Sequence, residues 1–410
     1  MRRDELAKRR AAVGFSQENL AEKLGVDPST VYRWEAGEST PQPATRPKLA
    51  RLLLISVAEL HSLLAKGQAR GQEPPGDLLP VMAPIARAGT KKDSSTMEAF
   101  RTADRQVGGR NLYSSVVQYL VTDVAPRLFG TVPSSNQDDD FAAAAGLTEM
   151  AGWMAHDGGL HDHARQHFTR ALELAKISGD SQLAAHVHAS LSHLADYMKD
   201  PAVARALAQA GQSDLAGGPR IPALEAKLLA MEARAAAGLG YAKESLQLVG
   251  RAERALVATA EADTSDWVSH FDEGSLASET ARCLLELRDF DGARARASLI
   301  LELRAPDRTR SRAFAQLNLA TALVRQRRPD EATAVIEEVV FFTHGLGSSL
   351  VNKQLLDLLA LMSSDHPASS GLGDTLGRVR QIVTDRLVSH HHNGEWPDLS
   401  SADDQSENRP

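Results

Sequence analysis

Residues 16–34 read SQENLAEKLGVDPSTVYRW, and this stretch decides the fold of the N-terminal part of the chain. Ser16 is a favourable N-cap residue for a first helix. Gly25 accepts the left-handed backbone conformation that commonly ends a helix. The apolar residues between them fall on one helical face: Leu20, Ala21 and Leu24. The pattern therefore predicts a short amphipathic helix that ends in a tight turn.

A second helix is predicted directly after this turn. Asp27 can cap it, and Pro28 supplies the backbone angle that the first helical position requires. Val31 and Trp34 are three residues apart, so both fall on the buried side. The outer face then presents Pro28, Ser29, Tyr32 and Arg33. Two short helices, a glycine turn and an exposed polar face indicate a helix-turn-helix motif.

The motif resembles the Cro/CI-type (XRE) helix-turn-helix family across residues 4–64. The resemblance rests on the spacing of five residues: Gln17, Ala21, Gly25, Val31 and Trp34. It implies an all-α fold with an N-terminal five-helix domain. It also implies that Arg10 and Glu35 pair, which would tie the first helix to the recognition helix.

The resemblance further implies which residues bind double-stranded DNA. Gln17 would hydrogen-bond a phosphate, and the backbone of Ser39 and Thr40 would contact phosphates as well. The base-reading face and its flanks would comprise Pro28, Ser29, Thr30, Tyr32 and Arg33. An arginine can form a bidentate pair with guanine, and a serine hydroxyl can donate or accept. One such module buries little surface, so a homodimer on two half-sites is expected.

Charge is distributed unevenly between the two ends of the chain. Residues 1–66 carry 11 Lys and Arg against 8 Asp and Glu, whereas the remainder carries 35 against 45. A basic head on an acidic body directs nucleic acid towards the head. Composition predicts four regions: a DNA-binding domain at 1–66, a linker at 67–96, a helical repeat domain at 97–388 and a disordered acidic tail at 389–410.

The predicted repeat domain contains five helices with a small residue near the start. These are Ala164, Ala204, Ser245, Ala293 and Ala332, at spacings of 40, 41, 48 and 39 residues. A small side chain lets two helices of a hairpin lie close together, and periods of this size indicate a solenoid of stacked hairpins. The 48-residue interval carries extra residues around TSDWVSHFDEG. An irregular helical bundle remains the alternative.

The repeats resemble degenerate tetratricopeptide repeats (TPRs). The best copy contains Asn318-Leu319-Ala320 and Pro329-Asp330-Glu331-Ala332, although the period exceeds the motif's length of about 34 residues. Together with the head, the repeats resemble a regulator type of actinomycetes. Registering each hairpin on the motif places six residues in an effector groove: Trp153, His193, Tyr197, Arg282, Asn318 and Thr321.

Other constellations are weaker. Seven histidines lie within residues 156–193, and we interpret them as a polar surface rather than a metal site. Cys283 lies on an apolar helix, which indicates a core residue, and a lone cysteine is typical of a reducing compartment. No phosphate loop or nucleophile–base pair is evident, so neither an enzyme nor a cofactor is expected. No apolar run is long enough to span a membrane. We expect a cytoplasmic protein that associates with the nucleoid when bound to DNA.

Three functions are consistent with these patterns. The first is a transcriptional regulator, most often a repressor in this family, whose repeats dimerise or sense a peptide, small-molecule or protein effector. The second is an interaction scaffold in which the repeats bind a partner and DNA binding is secondary. The third is a metal sensor that uses the histidine cluster. Retention of Gln17, Ser29 and Arg33 favours the first over the second.

Overall fold

The computed structural model describes residues 3–12, 15–41, 45, 48–49, 52–53, 60, 63–64, 90–129, 137–216, 218–258, 263–365 and 370–392. The chain forms two compact units, Met1–Ala86 and Arg87–Pro410. Within the described ranges every regular element is a helix, which confirms the all-α prediction.

The first unit begins with three helices: α1 (Asp4–Ala12), α2 (Gln17–Leu24) and α3 (Pro28–Ala36). The Ser16 side chain caps α2 and the Asp27 side chain caps α3, as predicted. Gly25 ends α2 with φ at 73°. Most of the fourth and fifth helices of the expected domain lies outside the described residues. Four leucines from that region are nevertheless buried in the same core: Leu49, Leu53, Leu60 and Leu64.

The second unit is a succession of antiparallel helices. Its first part contains α4 (Thr90–Val107), a 3₁₀ turn (Gly109–Asn111), α5 (Tyr113–Tyr119), a π-helical segment (Leu120–Val124) and α6 (Ala125–Phe129). The hairpins follow as α7 (Gln137–Asp157), α8 (His161–Ser178), α9 (Ser181–Tyr197), α10 (Pro201–Leu215), α11 (Pro222–Gly238), α12 (Ala242–Leu256), α13 (Glu273–Glu286), α14 (Phe290–Leu303), α15 (Thr309–Arg325), α16 (Pro329–Phe342), α17 (Ser349–Asp365) and α18 (Ser370–His392). Each odd-numbered helix from α7 onwards packs against the even-numbered helix that follows, and adjacent hairpins stack on one another.

The same turn joins the two helices in five of these hairpins. Two positions before the second helix, the backbone adopts a positive φ at Gly159, Lys199, Gly240, Arg288 and Arg327. The small residue recognised in the sequence is then the fourth residue of that second helix: Ala164, Ala204, Ser245, Ala293 and Ala332. All five are fully buried, at 0% exposure. The periodicity in the sequence therefore corresponds to a repeated hairpin geometry, as predicted.

The long interval in the repeat has a structural cause. The connection between α12 and α13 folds back into the second unit and buries Trp267 and Phe271. The Trp267 indole packs against Gly146 on α7, where an added Cβ would lie 2.8 Å from the ring. The Arg101 guanidinium of α4 donates to the Trp267 carbonyl oxygen at 2.9 Å. The extra residues thus connect distant helices of the unit.

The second unit also closes on itself between its early and late helices. The Arg310 guanidinium of α15 forms ion pairs with Asp104 of α4 and with Asp157 at the end of α7. These two carboxylates outweigh the cost of burial and raise the pKa of Arg310. The Ser348 hydroxyl, just before α17, donates to the other oxygen of Asp157 at 2.6 Å.

Two predicted borders differ from the helix ends. Helix α4 begins at Thr90, so the last residues of the predicted linker are helical. Helix α18 extends to His392, so the predicted border at residue 388 falls within this helix. Residues 393–410 and the rest of the linker lie outside the described residues. No helix in the described part of the chain is long and apolar enough to cross a membrane.

The hairpin turn yields a stability prediction. Gly240 has φ of 80°, and the space around a Cβ there is open, so Gly240→Ala introduces backbone strain alone. We expect this change to lower the free energy of unfolding by about 1 kcal/mol. Arg327→Gly, at the equivalent position of another hairpin, removes the same strain and should not destabilise. Urea unfolding of the full chain, followed by circular dichroism, measures both. Equal destabilisation by the two changes would contradict the proposed role of the turn.

Candidate functional site

The exposed face of α3 carries the predicted base-reading residues. Pro28, Ser29, Tyr32 and Arg33 are exposed and Thr30 is half-buried. The Ser29 hydroxyl donates to an Asp27 carboxylate oxygen at 2.5 Å, and the Arg33 Nε donates to the Ser29 carbonyl oxygen at 3.3 Å. The Ser29 hydroxyl and amide together hold the pKa of Asp27 below its usual value.

Buried residues on the opposite face hold α3 in place. Val31 and Trp34 lie in the apolar core of the first unit, together with Leu20, Ala21 and Leu24 of α2, as predicted. One face of α3 is buried and the opposite face is exposed. Rotation of the helix about its axis would therefore bury polar groups. The core therefore determines which side chains α3 presents.

Glu35 links three helices of the first unit. One carboxylate oxygen accepts from Arg10 of α1 at 2.6 Å, which is the predicted pair. The other accepts from the Gln17 amide nitrogen of α2 at 2.5 Å. The Gln17 amide has a second N–H, which this bond leaves free to donate. Glu35 thus also orients the side chain predicted to bind a phosphate.

Arg3 is a structural contact of the first unit that the sequence interpretation did not identify. Its guanidinium donates to the carbonyl oxygens of Leu64, Trp34 and Ser39, at 2.8, 2.8 and 2.6 Å. These bonds hold the segment after α3 against the start of the chain. In that segment the Ser39 amide donates to the Arg33 carbonyl at 3.3 Å, and Thr40 is exposed. Every residue has a backbone carbonyl, so no sequence pattern marks the three that accept from Arg3. Only the structure identifies these hydrogen bonds.

A cavity of about 790 Å³ lies within the second unit. Five of the six predicted groove residues line it: Trp153, His193, Tyr197, Arg282 and Asn318. Thr321 is not part of the lining, and its hydroxyl donates to the Leu317 carbonyl of its own helix at 2.7 Å. The sequence interpretation missed Met97, Arg101 and Asp104, which line the cavity from α4. Helix α4 precedes the repeats, so the repeat pattern contains no signal for it.

Aromatic rings form one side of this cavity. The Trp153 indole N–H donates to the buried Glu149 carboxylate at 2.6 Å, which orients the ring. The His193 ring lies 4.8 Å from that of Trp153, measured between centroids. The Tyr197 ring, also in the lining, packs against the fully buried His156 ring outside it, with 4.8 Å between centroids. Burial, with nearby cationic groups, lowers the pKa of His156 to about 3, so this ring is neutral at pH 7.

The interpretation of the histidine cluster as a polar surface is wrong for three of its members. His156, His186 and His188 are buried, because their hairpins pack these faces against neighbours. Their ring nitrogens bond to separate partners: His161, Lys227 and Asp214, respectively. Within the described residues, no group of three or more His, Cys, Asp or Glu side chains is arranged to hold a metal ion. Cys283 is buried as predicted, and burial raises the pKa of its thiol to about 12.

A protein-family model described as helix-turn-helix matches residues 6–60. Comparison with curated proteins gives no match. Among solved structures, the chain is similar to Bacillus thuringiensis PlcR in complex with the peptide PapR7 and DNA. The identity is 15%, the TM-score is 0.38, and 73% of this chain and 94% of that chain are covered.

A second solved structure is the APC/C hetero-tetramer Cut9-Hcn1. Here the identity is 12%, the TM-score is 0.36, and 92% of this chain and 74% of that chain are covered. Likenesses this low assign no property to this chain. The family match and the geometry of α2 and α3 identify the first unit as an XRE-type helix-turn-helix domain, a DNA-binding class that serves transcription regulation. The second unit is a solenoid of helical hairpins.

The Glu35 contacts lead to a second prediction. Glu35 is 4% exposed, so Glu35→Ala leaves the Arg10 charge without its partner. We expect a loss of about 3 kcal/mol in the stability of the first unit, as for other broken buried pairs. Glu38→Ala, at an exposed neighbouring position, is the control and should change stability by less than about 0.5 kcal/mol. Amide hydrogen exchange in α2 and α3 measures the effect. Similar exchange rates in the two variants would show that Glu35 does not hold these helices together.

Proposed function

Since residues 6–60 form a helix-turn-helix domain, we propose that this protein is a sequence-specific transcriptional repressor whose second unit senses an effector. The observation that carries the proposal is the exposed polar face at the start of α3, held in register by the buried Val31 and Trp34. A helix presented in this way fits the major groove of DNA, where base edges can be distinguished.

The proposed contacts divide into two kinds. Arg33, Ser29 and Pro28 would contact base edges and so determine sequence, with Thr30 and Tyr32 at the flanks. Gln17 and the backbone at residues 39–40 would contact phosphates and so position the domain. The excess of basic residues at 1–66 supports this orientation, because the acidic remainder of the chain would repel DNA.

The second unit supplies the proposed sensing site. Its cavity of about 790 Å³ is within the size range of small-molecule sites and combines aromatic walls with polar groups. An effector there can change operator affinity only if it binds the DNA-competent and incompetent arrangements unequally. We propose a homodimer, in which the second unit sets the placement of the two heads.

The experiment that tests this function starts with selection of bound fragments from genomic DNA by the full chain. On the selected operator, Arg33→Ala should cost about 1–3 kcal/mol and relax specificity at one base position. Gln17→Ala should weaken binding evenly across operator and unrelated DNA, since phosphates are common to both. Arg33→Lys is the matched control, because it keeps the charge but loses the bidentate geometry.

These variants can refute the assigned surface. Arg33→Lys should retain affinity for unrelated DNA yet lose discrimination at the same base position as Arg33→Ala. Parent-like affinity and specificity in both Arg33→Ala and Gln17→Ala would show that the recognition surface lies elsewhere. Failure to select any sequence would reject sequence-specific binding altogether.

A further prediction concerns the symmetry of the operator. A dimer with two identical heads should protect two half-sites related by a two-fold axis, with centres about one helical turn or a multiple of it apart. Footprinting of the selected operator, together with sedimentation of the free protein, measures this. A single non-palindromic half-site bound by a monomer would exclude the dimer.

A further inference from the structure

The cavity of the second unit is bounded because the unit closes on itself. The ion pairs of Arg310 with Asp104 and Asp157 connect α15 to α4 and α7. Met97 and Arg101 of α4 thereby join the walls formed by the hairpins. This closure favours a compact ligand over a long extended chain that runs along an open groove.

Most of the carboxylates that line this cavity already have cationic partners. Asp104 and Asp157 pair with Arg310, Asp357 pairs with Lys353, and Asp196 pairs with Arg234 at 2.7 Å. A cationic ligand would therefore have to compete with arginine and lysine side chains for these acids. The lining is better matched to an anion.

Arg282 is a cation in the lining that is available to such an anion. Its guanidinium lies over the Phe314 ring, 5.6 Å from the centroid. Arg234 repels this guanidinium, while Glu279 and Asp196 attract it. Both of these carboxylates form direct ion pairs with Arg234. Among the described residues no carboxylate forms an ion pair with Arg282, and its buried Nε has no hydrogen-bond partner.

Two further hydrogen-bond donors in the same lining are buried and have no partner among the described residues. They are the Tyr197 hydroxyl and the Asn318 amide nitrogen. The Asn318 amide orientation is set by Gln354, whose nitrogen donates to Asn318 Oδ1 at 3.2 Å, so Nδ2 is the unsatisfied atom. Buried donors without acceptors are costly and normally find a partner. The donors of Arg282, Tyr197 and Asn318 together suit a ligand group that only accepts hydrogen bonds.

The lining also contains apolar and aromatic side chains. Met97, Met150, Trp153, Met154 and Phe314 all line the cavity. The cavity can therefore accommodate a ligand that combines a ring or compact hydrocarbon body with a polar end. Methionine and aromatic side chains adapt well to flat apolar groups.

We propose that this cavity binds a compact, singly charged organic anion, in which Arg282 pairs with the anionic group and Tyr197 and Asn318 donate to its oxygens. Its apolar body lies against Trp153 and Phe314. This inference rests on the proposed function, since it names the chemical class of effector for the same site.

The test uses two fluorescent probes that share a ring system. 1-Anilinonaphthalene-8-sulfonate carries one negative charge, and N-phenyl-1-naphthylamine lacks it. Both are titrated into the full chain. The sulfonate should bind parent protein more tightly than the neutral probe. Arg282→Gln should weaken sulfonate binding by about 10-fold or more, as expected for a lost charge-assisted hydrogen bond, and leave the neutral probe unchanged.

Asn318→Asp provides an isosteric second variant. It keeps the oxygen that accepts from Gln354 and replaces the unsatisfied donor with a carboxylate oxygen. It should also weaken sulfonate binding by about 10-fold, through repulsion and the loss of one hydrogen bond to a charged group. Arg251→Gln is the control, because Arg251 is exposed on α12 and outside the cavity lining. Thermal unfolding establishes that each variant is folded.

The outcomes separate the anion site from the proposed function. Equal affinity of parent for both probes, or parent-like sulfonate binding by folded Arg282→Gln and Asn318→Asp, would overturn the anion assignment. Selective loss of sulfonate binding in both variants, with Arg251→Gln like the parent, would support it. Operator affinity, measured separately, tests DNA binding: its failure rejects the repressor function and leaves the probe results intact.

Discussion

The close crossing of the two helices in each hairpin is the constraint on which the second unit depends. In five of these hairpins the fourth residue of the second helix is a fully buried Ala or Ser, and a larger side chain there would force the helices apart. A left-handed residue two positions before the helix sets the turn that makes this approach. Lys199, Arg288 and Arg327 adopt this conformation although side chains normally disfavour it. Repetition of one hairpin geometry then produces the solenoid.

Closure of that solenoid determines what it can bind. Arg310 contacts carboxylates from two distant helices, and Trp267 packs on Gly146 from the long connection after α12. These contacts turn a repeated surface into a cavity with specific walls. Within it, Arg234 is neutralised by two acids, whereas Arg282 has an aromatic neighbour and no direct ion pair within the described part of the chain. The cavity therefore differs chemically from the rest of this acidic unit.

In the first unit, a small core must hold α3 so that its polar side chains remain exposed. Glu35 bonds to Arg10 and Gln17, and Arg3 bonds to three backbone carbonyls, so buried polar contacts supplement a modest set of apolar side chains. Buried charge pairs require well-defined geometry to offset the cost of desolvation. The result is that α3 has one permitted orientation, in which Arg33 and Ser29 face outwards.

The sequence alone determined the local features of this protein. The caps Ser16 and Asp27, the glycine turn and the buried Val31 and Trp34 follow from residue chemistry over a few positions, and so do the five small residues of the hairpins. Even the Arg10–Glu35 pair and five of the six groove residues followed from registration on a known motif. Tertiary structure alone decided which histidines are buried, that Thr321 is outside the cavity, and that α4 contributes to its wall. These features depend on contacts between residues far apart in the chain, and neither helical periodicity nor repeat spacing encodes them.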